Sequence, residues 1–164
     1  MKLPKIAAAA ALLFSLVASP VQAQAQQSCA AHYLIAVPGG GNTAEGIPDY
    51  VPHGGNVFMT GMLTRLGTGG EIQPLWVSYT STPFATSEYE KSKAGGLKRA
   101  RSTVKRLANA CPSAKFSFTG YSLGADIAAT ITSDIAAGRG PIEPGRVSGV
   151  ALFANPHQGG NGAV

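Results

Sequence analysis

The sequence predicts an α/β fold, a three-layer sandwich in which helices cover both faces of a central parallel sheet. Short apolar runs typical of buried strands alternate with longer segments of helical periodicity, which is the pattern of repeated βαβ units. One glycine-rich turn follows the first strand and another follows the third. The 164 residues, 45% of them hydrophobic, are enough for one hydrophobic core. We therefore expect a single domain, with no internal repeat or linker.

Four strands and three helices are predicted in alternation. The strands are 33–37, which ends at a run of three glycines, 72–79, 115–119 and 147–154. The helices are 56–66, 87–110 and 125–137. Ser87 and Glu90 match a capping box at the start of the second helix, which Pro112 stops. Gly138 ends the third helix.

Residues 1–25 have the pattern of a secretory signal peptide. Lys2 and Lys5 precede the apolar run 6–17, and small residues at Ala23 and Ala25 offer a cleavage site. A membrane anchor is the alternative, but the apolar run is shorter than the roughly 20 residues that span a bilayer. The sequence therefore predicts a secreted protein whose mature domain is 26–164.

The positive charge of the chain is modest and concentrated. The net charge of +5 becomes +3 without Lys2 and Lys5, which is too little to predict a nucleic-acid partner. Seven basic residues lie in the second predicted helix, without interleaved aromatic residues. They are Lys91, Lys93, Lys98, Arg99, Arg101, Lys105 and Arg106. A solvated helix face is the simpler interpretation, and peripheral contact with an anionic cell envelope is the alternative.

The chain has two cysteines, Cys29 and Cys111. In an oxidising compartment they are the only possible intrachain pair, and the loop they would close is worth about 4 to 5 kcal/mol in the chain-entropy model. A buried thiol and an intermolecular link remain the alternatives. Two cysteines with no histidine at a suitable spacing do not predict a zinc site, and we expect neither metal nor cofactor.

The motif Gly120-x-Ser122-x-Gly124 fits a nucleophile elbow. It lies between a predicted strand and a predicted helix, where a tight turn projects the serine hydroxyl above the sheet edge. The following helix N-terminus favours the negative charge that develops during acyl transfer. Ser122 is therefore the candidate nucleophile, and an ordinary glycine-rich turn is the alternative.

Acyl transfer also needs donors for the oxyanion. The backbone N–H of Leu123 is the first candidate, and the second is an N–H of Gly40 in the loop after the first strand. That loop, residues 39–43, reads Gly-Gly-Gly-Asn-Thr and is called the glycine loop below. A phosphate-binding loop is less consistent with these residues, because no Lys-Ser or Lys-Thr follows the glycines.

From Cys111-Pro112 through the segment Lys-Phe-Ser-Phe-Thr-Gly-Tyr-Ser-Leu-Gly-Ala, 115–125, the sequence resembles cutinases and cutinase-like serine esterases of the α/β-hydrolase class. The resemblance implies a disulfide between Cys29 and Cys111, Ser122 as nucleophile, secretion, no metal, and hydrolysis of esters in lipid-like or polyester substrates. Two departures stand out. Leu123 stands where these esterases commonly have glutamine, and residues 40–43 differ from their usual Gly-Ser/Thr pattern. Thr43 is the nearest candidate for a hydroxyl that supplements the oxyanion site.

The residues after Ser122 offer few partners for it. The acids are Asp126, Asp134 and Glu143, and the histidine is His157. The two aspartates lie on the helix after the nucleophile, a poor place from which to orient a base. His157 is interpreted as a surface-loop residue, and the alternative is that it reaches the site from the carboxyl end of the fourth strand. We expect the triad Asp and His beyond Val164, so that 26–164 is the N-terminal portion of the domain. His32 and His53 have no assigned role.

Three functions are compatible with these residues. The first is a secreted, monomeric serine esterase. The second is a non-catalytic secreted protein that binds envelope lipid or polymer on the same scaffold, and it is suggested by the missing triad partners. The third is an acyltransferase that passes the acyl group from the serine to a sugar or alcohol.

Overall fold

The computed structural model describes residues 29–54, 72–82 and 85–157. The strands are β1 (His32–Val37), β2 (Ile72–Trp76), β3 (Lys115–Tyr121) and β4 (Val147–Phe153). They form one parallel sheet in the order β2-β1-β3-β4. The helices are α1 (Thr86–Ala110) and α2 (Leu123–Ala136), and a 3-10 turn, Pro144–Arg146, precedes β4. The predicted α/β fold is confirmed, while the signal segment and the helix predicted over 56–66 lie outside the described residues.

One face of the sheet packs against both described helices. Phe116 and Phe118 of β3 are fully buried against apolar side chains of α1 and α2, including Val104 and Ile131. The two helices approach closely at Gly96, where a Cβ atom would lie 2.6 Å from Ile127 Cδ1. The glycine pair that weakens the helix in the sequence thus permits close packing between α1 and α2. The further helical layer of the predicted sandwich is not among the described residues.

Two strands end differently from the prediction. Strand β2 ends at Trp76 instead of residue 79, although Val77 N–H still donates to Ala36 O over 2.9 Å. The next donor on β1 would be Pro38, which has no N–H, so the ladder stops there. Strand β3 is two residues longer than predicted, because Tyr121 still pairs with Phe153 of β4.

The start of α1 corrects a second prediction. The capping box at Ser87 and Glu90 is wrong, because the N-cap residue is Ala85 and no side chain caps the helix. Ser87 lies inside the first turn instead. The end of the helix at Ala110, ahead of Pro112, agrees with the prediction.

The disulfide between Cys29 and Cys111 is present, with its Cα atoms 5.6 Å apart. It ties the segment before β1 to the residue after α1. No helix in the described ranges is long and apolar enough to cross a membrane.

The basic residues of α1 are largely paired with acids. Five of the seven form ion pairs, Lys91 with Glu88, Lys93 with Asp126, Arg99 and Arg106 with Asp49, and Arg101 with Asp134. Of these seven residues, only Lys98 and Lys105 have no acidic partner within the described ranges. The helix therefore presents less unpaired positive charge than its sequence suggests.

Candidate active site

Ser122 occupies a strained turn between β3 and α2. Its backbone has φ 53° and ψ −122°, a region that residues other than glycine rarely adopt. The conformation is held from two sides. Ser122 N–H donates to Phe153 O over 2.9 Å, and Ser122 O accepts from Ala125 N–H over 2.8 Å and from Asp126 N–H over 3.2 Å. The predicted strand–serine–helix arrangement is thus present.

The glycines on either side of Ser122 are required by backbone contact. A Cβ atom on Gly120 would lie 2.2 Å from Gly124 O, and one on Gly124 would lie 2.1 Å from Val37 O. Neither position has room for any side chain. The tight turn therefore depends on the two glycines of the motif, and it brings the end of β1 against the start of α2.

Leu123 is the first residue of α2, so its N–H has no intrahelical acceptor. The leucine side chain is only 1% exposed and belongs to the core. Leucine at this position therefore places an apolar side chain in the core and leaves the backbone donor in place. The partial positive charge of the α2 N-terminus adds to the same site.

The glycine loop follows β1 at the same carboxyl edge of the sheet. Three of its N–H groups already have acceptors: Gly41 donates to Ser81 O (2.7 Å), Asn42 to Gly39 O (3.1 Å) and Thr43 to Ser81 Oγ (3.3 Å). The described part of the chain contains no acceptor for the N–H of Gly39 or Gly40. Within these ranges, Gly39 and Gly40 are therefore the residues of the glycine loop whose N–H groups have no protein acceptor.

Sequence reasoning missed a histidine beside the glycine loop. His53 is 2% exposed, and its Nδ1 lies 2.8 Å from Thr43 Oγ1. His53 Nε2 lies 3.4 Å from Pro48 O. Burial lowers the pKa of His53, against the raising effects of its hydrogen bond to Pro48 and the charge of Asp49. No local pattern near His53 signals this contact, since it depends on how the loop folds back.

Asp126 is the centre of a polar cluster on the first turns of α1 and α2. Its carboxylate is buried and accepts from Tyr89 OH at 2.9 Å, with Lys93 Nζ also at 2.9 Å. His157 Nε2 lies 3.3 Å from Asp126 Oδ2, while its side chain is 61% exposed. Burial and the hydrogen bond to Asp126 raise the pKa of Tyr89, which keeps it a donor.

The position of His157 refines the sequence-based interpretation. It is a surface residue, as expected, but it contacts the aspartate that sequence analysis set aside. None of the hydrogen bonds among residues 29–54, 72–82 and 85–157 joins a histidine to Ser122 Oγ. These residues also contain no group of His, Cys, Asp and Glu side chains arranged to hold a metal ion.

Comparison with known proteins places the chain in a family. Residues 21–163 match the family model described as Cutinase. A cutinase from Kineococcus radiotolerans is 36% identical over 92 residues, which are 53% of this chain and 31% of that protein.

Solved structures have the same fold. The catalytic core domain of acetyl xylan esterase from Trichoderma reesei has a TM-score of 0.59 at 18% identity, covering 78% of this chain and 65% of that one. A cutinase-like protein from Cryptococcus sp. has a TM-score of 0.56 at 18% identity, covering 82% and 58%. The chain spans less than two thirds of each of these proteins. Because the family model covers most of the sequence, the chain belongs to the cutinase family.

Proposed function

We propose that this chain carries the nucleophile and oxyanion site of a secreted serine esterase that hydrolyses carboxylic esters in lipid-like or polyester substrates. The observation that carries the proposal is the backbone of Ser122, with φ 53° between a strand and a helix. Strain of this kind is retained where the surrounding structure holds a functional side chain in place. Family membership supports the ester as the bond attacked.

In the proposed reaction, Ser122 Oγ attacks the ester carbonyl carbon and a general base takes the hydroxyl proton. The carbonyl oxygen becomes an oxyanion that accepts hydrogen bonds from the N–H groups of Leu123 and Gly40. Collapse of the tetrahedral intermediate breaks the ester C–O bond, and the alcohol leaves with the proton. Water then hydrolyses the acyl-serine to the free acid by the same steps in reverse order.

The identities of the general base and of the acid that orients it remain predictions. Both residues are expected beyond Val164. Two facts support looking further than His157. Its Nε2 lies against Asp126, and that carboxylate is already shared with Lys93 and Tyr89. If His157 were the base, it would have to accept the Ser122 proton on its other ring nitrogen, Nδ1.

The test is labelling with a fluorophosphonate, which reacts with activated serines, followed by peptide mapping. We expect modification at Ser122, abolished in Ser122→Ala. Ser113→Ala is the matched control, because Ser113 is an exposed serine at the opposite end of β3. The same reaction is run on this chain and on a version extended by the residues that follow it in the gene.

The labelling results distinguish the candidate functions. Labelling of this chain without the extension means that a base within it activates Ser122, with His157 as the first candidate. Labelling of the extended version only supports a triad completed beyond Val164. No labelling of either favours the non-catalytic binding protein. Products formed in the presence of a competing alcohol then distinguish hydrolysis from acyl transfer.

We also propose that residues 1–25 are removed during export. The disulfide supports this proposal, because such bonds persist in oxidising compartments. N-terminal sequencing of protein from the culture medium should begin after Ala23 or Ala25. Retention of Lys2 and Lys5 in the mature protein would contradict it.

A further inference from the structure

The contact between His53 and Thr43 has a defined direction. Pro48 O lies 3.4 Å from His53 Nε2, and because a carbonyl oxygen only accepts, a hydrogen bond between them needs the tautomer with a proton on Nε2. In that neutral tautomer the other nitrogen is an acceptor. Nδ1 lies 2.8 Å from Thr43 Oγ1, so the threonine hydroxyl would then donate the hydrogen bond to His53.

The environment of His53 favours the neutral ring that this direction needs. The side chain is 2% exposed, and burial disfavours the charged form. The nearby charge of Asp49 and the Pro48 carbonyl oppose burial, but the pKa of His53 is lowered on balance. A neutral histidine is therefore expected at neutral pH.

The backbone of Thr43 is held at the same time by Ser81. Ser81 Oγ donates to Thr43 O over 2.6 Å and accepts from Thr43 N–H over 3.3 Å, and its carbonyl accepts from Gly41 N–H. The segment that carries Ser81 is itself tied to α1, where Ser92 Oγ bonds both polar groups of the Thr82 backbone. These contacts hold the Thr43 backbone. Within the described ranges, the polar contact of the Thr43 side chain is the one to His53.

We propose that His53 is a positioning residue of the glycine loop, which binds the Thr43 hydroxyl so that the loop presents Gly40 N–H to the oxyanion. This inference rests on the proposed esterase function. It differs from the expectation that the Thr43 hydroxyl supplements the oxyanion site. A hydroxyl has one proton, so a Thr43 hydroxyl that donates a hydrogen bond to His53 cannot also donate one to the oxyanion.

The kinetic test uses the full-length enzyme with the variants His53→Leu, His53→Asn and Thr43→Val. His53→Leu should lower kcat roughly tenfold with little change in KM, because a displaced loop weakens transition-state binding. His53→Asn should restore most of kcat, since its amide oxygen accepts from the hydroxyl. Thr43→Val should match His53→Leu, and the double variant should lose no more than either.

His32→Leu is the matched control. His32 Nε2 also bonds a hydroxyl, Ser117 Oγ at 2.9 Å, but at the amino end of β1, so its loss should leave kcat unchanged. A hundredfold loss in Thr43→Val with a wild-type rate in His53→Leu would overturn the proposal, because the hydroxyl would then be an oxyanion donor itself.

A second measurement does not depend on activity. Long-range ¹H–¹⁵N NMR spectra distinguish the two neutral tautomers of histidine, and comparison with His53→Asn assigns the signal. We expect the Nε2–H tautomer with Nδ1 as an acceptor. An Nδ1–H tautomer or a charged ring at neutral pH overturns the inference, even if Ser122→Ala shows that the proposed function is wrong.

Discussion

The two edges of the sheet are held together by different means. At the amino edge, a disulfide joins Cys29 to Cys111, and Arg146 donates to the carbonyls of Cys111 and Ala114 while its guanidinium lies 5.1 Å from the Phe116 ring centre. At the carboxyl edge, by contrast, glycines allow backbone to touch backbone around Ser122. Long side chains and a covalent bond stabilise one edge. Small residues at the other allow the backbone segments around the strained serine to pack in direct contact.

The largest effect should follow from a methyl group at the carboxyl edge. Gly124→Ala places a Cβ atom 2.1 Å from Val37 O, and neither backbone can move without opening β1 from α2. We expect the free energy of unfolding to fall by at least about 4 kcal/mol, measured by urea denaturation. Gly145→Ala at the amino edge is the control, since no heavy atom lies within 4 Å of its Cβ. Equal stability of the two variants would remove the contrast between the edges.

Loss of the disulfide should have the next largest effect. The bond spans 82 positions, and the variant Cys29→Ala with Cys111→Ala should be destabilised by about 3 to 4 kcal/mol, less than the chain-entropy model gives because the unfolded chain retains some structure. Labelling of Ser122 by the fluorophosphonate, measured where the variant is still folded, should be unchanged. A loss of labelling in the folded variant would mean that the amino edge also positions Ser122.

Arg146 tests the amino edge without covalent chemistry. Arg146→Gln removes hydrogen bonds to backbone carbonyls and the contact with Phe116, so we expect about 2 kcal/mol of destabilisation. The control is Arg139→Gln. The Arg139 side chain is 69% exposed and pairs with Asp134, and its loss should be close to neutral. Similar unfolding midpoints for the two variants would contradict the anchoring role of Arg146.

The smallest effect concerns pH. Burial lowers the pKa of His53 from 6.5, so below that pH the unfolded chain binds the proton more readily than the folded one. Stability should therefore fall as the pH decreases below about 6.5, and His53→Asn should remove part of this fall.

His32 is the control for this prediction. Burial also lowers the pKa of His32, but its side chain is more exposed, so His32→Asn should remove less of the fall. Urea denaturation at about pH 7.5 and about pH 5.5 measures both. An identical pH dependence in wild type and His53→Asn would disprove the coupling.

Much of the fold was predictable because its signals are local. The four strands appear where apolar runs precede turns, and β1, β3 and β4 agree with the prediction to within two residues. Element ends were less predictable. The end of β2 depends on Pro38 in the neighbouring strand, and α1 begins at a residue without a capping side chain.

The candidate site divides in the same way. Ser122 and its flanking glycines could be identified from a short motif, because the steric demands of the turn involve residues only two positions apart. The contact of His53 with Thr43 and that of His157 with Asp126 could not, since each joins segments whose separation in sequence gives no periodic signal.

By itself, the sequence determined the alternation of strands and helices, the tight turn at Ser122 and the possible cysteine pair. These features follow from side-chain periodicity, local sterics and the presence of only two thiols. Tertiary structure alone decided which N–H groups of the glycine loop find acceptors among the described residues, which histidine contacts Thr43, and how Gly96 allows α1 to approach α2. The reason is physical: hydrogen bonds and close contacts between distant segments form only after the parallel sheet has brought its loops to one edge.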